Sequence, residues 1–294
     1  MYFAKRSRRA FLKDAALASA GTWFAPKTWL ERWAVLPPVA QKFSAADTVT
    51  LGQTGIKTSR LAMGTGTLGY GHHSRQTALG MDGLSRLLLN GYDHGLRFFD
   101  AADSYGSHPH VAEALKHVDR RKVTVLTKSW SRDAAGMRAD LARFRRELNL
   151  EQIDIVLMHC ITDGACTTKY RGDMDVLEEA KQKGMIRAHG CSCHSIEALR
   201  AAAKSPWVEV DLVRINPIGA EMDASPETVV SVIREMHAAG KGIVGMKILG
   251  QGAMRNRQEE ALRYALGLGL LDAFTIGAES IAEQNDLLQR IAAV

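Results

Sequence analysis

The sequence predicts an α/β protein built as a (β/α)₈ TIM barrel with a short N-terminal hairpin. Three observations carry that expectation. Eight strand-then-helix units follow one another over about 230 of the 294 residues, close to the ~250 residues usual for such a barrel. Several strand candidates, VTVL and IDIVLM among them, are continuous apolar runs, as strands buried on both faces of a parallel sheet must be. The main competitor, an open doubly wound sheet, usually shows a GxGxxG turn straight after its first strand. Here Gly64-Thr65-Gly66-Thr67-Leu68-Gly69 has the wrong final spacing, and the next helix comes too late.

The elements read in order as follows. TVTLGQTGIKTSRLAMG (48–64) is a hairpin turning at Thr54-Gly55, followed by the first barrel strand. Leu84, Leu87 and Leu88 fall at helical spacing, and Gly95 ends that helix. The strand RFFDAA, the helix HVAEALKHV and the strand KVTVLT come next. Met137, Leu141, Phe144 and Leu148 make one apolar stripe ahead of the strand IDIVLMH. VLEEAKQKG then leads into IRAHGCSC, and Ser195 caps IEALRAAAK before VDLVRI. Ser225-Pro226-Glu227 opens a helix that ends at Gly240 and feeds GIVGMKIL. EEALRYALGLG and DAFTIG complete the eighth unit, and a capping box, Ser280-x-x-Glu283, opens the last helix.

Charge divides the chain at residue 46. Residues 1–46 hold eight basic and two acidic residues, which accounts for the whole formal net charge of +6. The remaining 248 residues balance 30 against 30. The body of the protein therefore has no basic excess for nucleic acid. The domain expectation is an export leader and linker over 1–46 and the barrel over 47–294. Within the leader, SRRAFLK (7–13) and the mildly apolar stretch behind it resemble a twin-arginine signal. That resemblance implies the twin-arginine export machinery as a partner and a periplasmic location, tethered to the membrane if the leader is kept. Four cysteines, Cys160, Cys166, Cys191 and Cys193, show no zinc or iron–sulfur spacing.

Four residues stand at or just past the ends of three successive strands: Asp100, Tyr105, Lys128 and His159. Barrel active sites lie at that end, and neighbouring strands are ~4.8 Å apart, so the four side chains can converge. A phenol with a pKa near 10 is a poor acid at neutral pH, and a nearby ammonium lowers it. Asp100 would hold Lys128 in place, Tyr105 would give a proton to an oxygen gaining charge, and a neutral His159 would orient that oxygen. The set suits carbonyl reduction with hydride from a bound nucleotide. Two rival readings are a Schiff-base enzyme using Lys128 or Lys247 and a non-catalytic nucleotide-binding barrel.

FDAADSYG, VLTKSW, VLMHC and the opening LGQTGIKTSRLAMGTGTLG resemble the aldo-keto reductase superfamily over residues ~49–290. The resemblance implies an NADPH- or NADH-dependent reductase acting on a small-molecule carbonyl substrate, with Tyr105 as general acid. It also implies a nucleotide site. Gly64, Thr65 and Gly66 follow the first strand, and Ser192 and Cys193 lie where the nicotinamide carboxamide is held. Asn216 stands in RINP, Met246 where an aromatic ring is common, and Lys247 beside it. Gly277 and Gln284 belong to the segment that grips the adenosine half. Tyr70, His72 and Trp130, in loops after the first and third strands, are candidate substrate contacts. His72 and His73 lack a third ligand, so no metal is expected.

Overall fold

The computed structural model describes residues 42–294. Arg8, Arg9 and the rest of the export motif lie outside the described residues.

A two-stranded antiparallel hairpin, β1 (Thr48–Thr50) and β2 (Lys57–Ser59), comes first. Its turn follows the Thr54-Gly55 signal, with Gly55 at φ +70°. The loop residues Leu51 and Ile56 are fully buried and join the barrel's core cluster, and Leu51 packs against Gly242 where the seventh barrel strand starts. The hairpin thus closes the amino-terminal end of the barrel. Ala45, from the expected linker, is also buried, and its carbonyl accepts the N–H of Leu61 at 3.0 Å.

Eight parallel strands make a closed barrel: β3 (Leu61–Gly64), β4 (Phe98–Asp100), β5 (Thr124–Ser129), β6 (Ile153–Ile161), β7 (Ile186–Cys193), β8 (Val210–Arg214), β9 (Gly242–Met246) and β10 (Ala273–Ile276). The last strand pairs with the first, Phe274 opposite Leu61, so the barrel has no open edge. Ala62, Phe98, Leu126, Leu157, Ala188, Leu212, Val244 and Ala273 point inward and fill the interior. Because side chains alternate along a strand, the residue two places after each of these also faces inward, one layer nearer the carboxyl end. That rule places Gly64, Asp100, Lys128, His159, Gly190, Arg214, Met246 and Thr275 in the top layer.

The connecting helices are α1 (Gly80–Asp93), α2 (His108–Leu115), α3 (Ala134–Leu148), α4 (Cys166–Lys169), α5 (Arg171–Gln182), α6 (Ile196–Lys204), α7 (Pro226–Ala238), α8 (Gln258–Gly267) and α9 (Ile281–Ala293). The capping serines act as the sequence implies: Ser195, Ser225 and Ser280 accept N–H groups of the first turns of α6, α7 and α9. The stripe Met137, Leu141, Phe144 and Leu148 is buried. Two differences matter. The one-turn helix α4 carries no long apolar period and is not foreseen. The expected strand RFFDAA also stops at Asp100. Ala101 still donates to Leu126 O at 2.8 Å, but from Asp103 the chain turns through one 3₁₀ turn and swings Tyr105 back over the barrel.

Candidate active site

β4, β5 and β6 bring Asp100, Lys128 and His159 to one face, and the 3₁₀ turn Asp103–Tyr105 adds the phenol. Lys128 is fully buried. Its Nζ donates to Asp100 Oδ1 at 2.5 Å, to Ala101 O at 2.9 Å and to the Tyr105 hydroxyl at 3.4 Å. Because the tyrosine oxygen accepts from the ammonium, its own O–H is free to donate elsewhere. The other carboxylate oxygen, Asp100 Oδ2, accepts from Thr275 Oγ1 at 2.9 Å. That link joins the last strand to the second and fixes the carboxylate against rotation.

His159 meets the Tyr105 ring edge-on, with centroids 5.6 Å apart. Ser104 Oγ lies 3.5 Å from its Nδ1. We assign the hydroxyl as the donor there, which puts the imidazole proton on Nε2. The Trp130 ring lies 5.1 Å from His159, and the His194 ring 6.3 Å.

The charges follow from these surroundings. Burial lifts the Tyr105 phenol above its ordinary range, and Lys128 opposes that rise without cancelling it. The expectation that the ammonium lowers the phenol therefore holds for its direction of influence, while burial decides the outcome. Burial pulls the Lys128 ammonium down, but Asp100 and then Tyr105 outweigh it, and it ends raised. His159 is held well below the usual imidazole range by burial first, then by Lys128, His194 and Arg132, so it is neutral. His194 is pushed down to about 3 by burial and by Arg214, Lys247 and Lys128.

Beside Tyr105 runs a cavity of about 430 Å³. Gly64, Gly66, Asp100, Tyr105 and Met246 lie at one end, and Arg75, Arg255, Gln258, Glu279 and Glu283 line the rest with Lys247, Gly252 and Gly277. Gly250, Gln251 and Gly252 follow one another at positive φ, +55°, +53° and +98°, and the last two line its wall. The N–H groups of Gly250 and Gly252 donate to Lys247 O at 2.8 Å and Leu249 O at 3.0 Å, so this turn spends them on its own backbone. Ser192 is fully buried and its Oγ has no partner among the described residues. A dinucleotide fits these features: Lys247 and Arg255 in the cavity wall suit a pyrophosphate, and Ser192 keeps an unpaired hydroxyl on the inward face of its strand.

Several expected contacts go elsewhere. Cys193 turns outward from the barrel, and its thiol donates to Asp211 Oδ2 at 3.1 Å, because strand alternation turns Ser192, not Cys193, inward. Asn216 spends its amide on Ala220 O and Lys247 O while its oxygen accepts from Ile218 and Ala220, so it pins its own loop. Gln284 is buried between α9 and α1, where its Oε1 accepts from Asn90. Thr65 is buried against Asp100 O and Ser107 Oγ. His72 braces the Tyr105 turn: its N–H donates to Ser104 O, and its Nδ1 lies 3.0 Å from Asp103 O. Tyr70 is 78% exposed at a loop tip. Among the described residues no group of three or more His, Cys, Asp or Glu could hold a metal.

Thr275, Ser104 and Gly69 are site residues the sequence reading missed. A Cβ on Gly69 would lie 2.3 Å from Tyr105 Cδ1, and one on Gly66 2.2 Å from Cε2. The two glycines form the slot for the phenol ring. Gly69→Ala is expected to cost about 1–3 kcal/mol of stability and, by displacing the hydroxyl, to lower kcat roughly 10- to 100-fold. Urea melts and steady-state kinetics check this, and an unchanged kcat would mean the ring is not held by that slot.

The sequence profile of the Aldo/keto reductase family matches residues 60–273. The chain belongs to this family. Among curated relatives, NADPH-dependent codeinone reductase 1-2 of Papaver somniferum is 28% identical over 193 residues, covering 56% of each chain. The NADH-specific methylglyoxal reductase of Escherichia coli K12 is 25% identical over 194 residues, covering 56% of this chain and 57% of its own. This aldo/keto reductase thus spans a little over half the length of those two relatives. An aldo-keto reductase from Bacillus halodurans in its holo form superposes with a TM-score of 0.69 at 19% identity. The superposition covers 84% of this chain and 91% of the other, and it shows the shared barrel.

Proposed function

We propose that this family member reduces an aldehyde or ketone to an alcohol, taking hydride from NADH or NADPH and a proton from Tyr105. The observation that carries the reading is the Lys128 ammonium set between Asp100 and the Tyr105 hydroxyl, with neutral His159 facing the same point beside a dinucleotide-sized cavity. The nucleotide supplies the hydride when bound. The chain supplies the rest. His159 Nε2–H and the tyrosine O–H both donate to the carbonyl oxygen and polarise it. As that oxygen gains charge, Tyr105 passes it the proton, and the adjacent ammonium stabilises the phenolate left behind. A Schiff-base role for Lys128 fits poorly, because imine formation needs a neutral amine and Asp100 keeps this one charged.

Tyr105 must be protonated to act as the acid, and its pKa lies above 10, so its activity is lost as pH rises through that value. His159 is already neutral and adds no inflection near pH 6.5. The expected profile for carbonyl reduction is flat from about pH 6 to about pH 9 and falls above about pH 10. Following nucleotide absorbance with a panel of simple aldehydes measures it. No oxidation of either nucleotide with any aldehyde would sink the reading, and a steep fall between pH 6 and 7 would sink the assignment of charges.

A further inference from the structure

We infer that Glu279 and Glu283 make this site select the nucleotide that lacks a 2′-phosphate, NADH over NADPH. The inference rests on the hydride-transfer reading above. Hydride must leave from beside Tyr105, so the reactive ring takes the Tyr105 end of the cavity and the adenosine half falls at the other. That far end is built by the loop after β10 and the first turn of α9, where Glu279 and Glu283 line the wall.

The N-terminus of a long helix is ordinarily a good phosphate site, because its first N–H groups are unpaired and the helix dipole favours an anion. Here one of those donors, and the amide just before the cap, are already used. The N–H of Glu283 donates to Ser280 Oγ at 3.1 Å, and the N–H of Glu279 donates to Glu283 Oε2 at 2.7 Å. The carboxylate of Glu283 occupies the place that a phosphate would take. The capping box expected from Ser280-x-x-Glu283 thus closes one residue earlier than usual, on Glu279 rather than on Ser280.

Charge points the same way. Arg75 Nη1 lies 3.4 Å from Glu279 Oε2, and Glu283 has no cation within ion-pair distance among the described residues. A phosphomonoester carrying between one and two negative charges would meet two carboxylates, one of which already holds the Glu279 amide. A ribose 2′-hydroxyl, in contrast, can donate to either carboxylate, the recognition that acidic residues give NAD elsewhere. Arg75 is itself tethered: neighbouring Gln76 donates to Ala278 O at 3.2 Å and to Thr67 Oγ1 at 2.9 Å, which ties its loop to the Glu279 segment. Arg255, whose guanidinium has no partner among the described residues, lies three residues beyond Gly252 in the cavity wall and serves the pyrophosphate.

The test is calorimetric binding of NADH and NADPH to the full chain, repeated with 5′-ADP and 2′,5′-ADP, which probe the far end without any chemistry. NADH is expected to bind at least 30-fold more tightly than NADPH, and 5′-ADP to be preferred in the same sense. Glu283→Gln keeps the capping hydrogen bond and removes the charge, so it folds and narrows the ratio several-fold. Glu279→Lys/Glu283→Gln brings the ratio to about one or inverts it. Added salt narrows the wild-type ratio by screening the two carboxylates. Equal or tighter NADPH binding in the wild type, or a ratio that neither variant moves, overturns the inference and gives Arg255 the 2′-phosphate. Binding of neither dinucleotide overturns the hydride-transfer reading along with it.

Discussion

Tyr105→Phe should lower kcat/KM for carbonyl reduction by roughly 10²- to 10⁴-fold while nucleotide binding stays within a few-fold of wild type. The substitution removes one oxygen and little else. The ring stays in its slot between Gly66 and Gly69 and keeps its edge contact with His159. Lys128 loses a long 3.4 Å hydrogen bond but retains Asp100 and Ala101, so the stability cost is about 1 kcal/mol. What disappears is the proton donor. His159 cannot replace it, because burial with Lys128, His194 and Arg132 keeps the ring neutral, so there is no imidazolium proton to give. The residual rate should come from nucleotide positioning and the imidazole hydrogen bond, and it should lack the alkaline fall of the wild type. Stopped-flow single turnovers separate the hydride step from release of product. A variant within threefold of wild type in that step would mean that the proton comes from water or another side chain.

The four central residues were legible because strand alternation and strand ends are local signals. Once Phe98, Leu126 and Leu157 are read as inward-facing, Asp100, Lys128 and His159 must face inward one layer higher. Tyr105 followed from its place past Asp100, although the 3₁₀ turn that aims it was not foreseen. The nucleotide contacts were less legible, because each depends on the parity of a single residue. Ser192 and Cys193 are neighbours, yet strand alternation turns one to the barrel interior and the other to the outer layer. Gln284 and Glu283 are likewise adjacent, and the helix start turns the first into an interhelix contact and the second to the cavity wall. Thr275 left no sequence signal at all. Its bond to Asp100 spans 175 residues and exists only because the barrel closes on itself. Gly66 and Gly69 read as part of a weak phosphate-loop pattern, whereas their lack of a side chain serves the tyrosine ring.

Lys128→Met is expected to abolish measurable reduction, a loss of about 10³-fold or more, and to destabilise the fold by about 3–5 kcal/mol at pH 7. Both effects have one cause. Asp100 is buried, and the ammonium at 2.5 Å is its counter-charge; without it a carboxylate is left in the barrel top with only Thr275 as a donor. Tyr105 loses the influence that lowers its pKa, so its phenol rises further and the phenolate formed on proton transfer has no cation beside it. The stability effect has a pH signature. The folded pKa of Lys128 is raised above its unfolded value, so its contribution is fully present below about pH 10.5 and is lost as pH climbs through the folded value. Urea melts at rising alkaline pH should therefore show, beyond the loss that the raised Tyr105 phenol gives both proteins, a lysine-dependent loss in the wild type alone. Lys128→Met/Asp100→Asn should recover most of the stability, because no buried charge is left unpaired, but none of the rate. If the single variant were as stable as wild type, the pair would not be the buried, mutually dependent unit that its geometry describes. If the double variant regained activity, the lysine would matter only as a counter-ion, and the tuning of Tyr105 would have to come from another group.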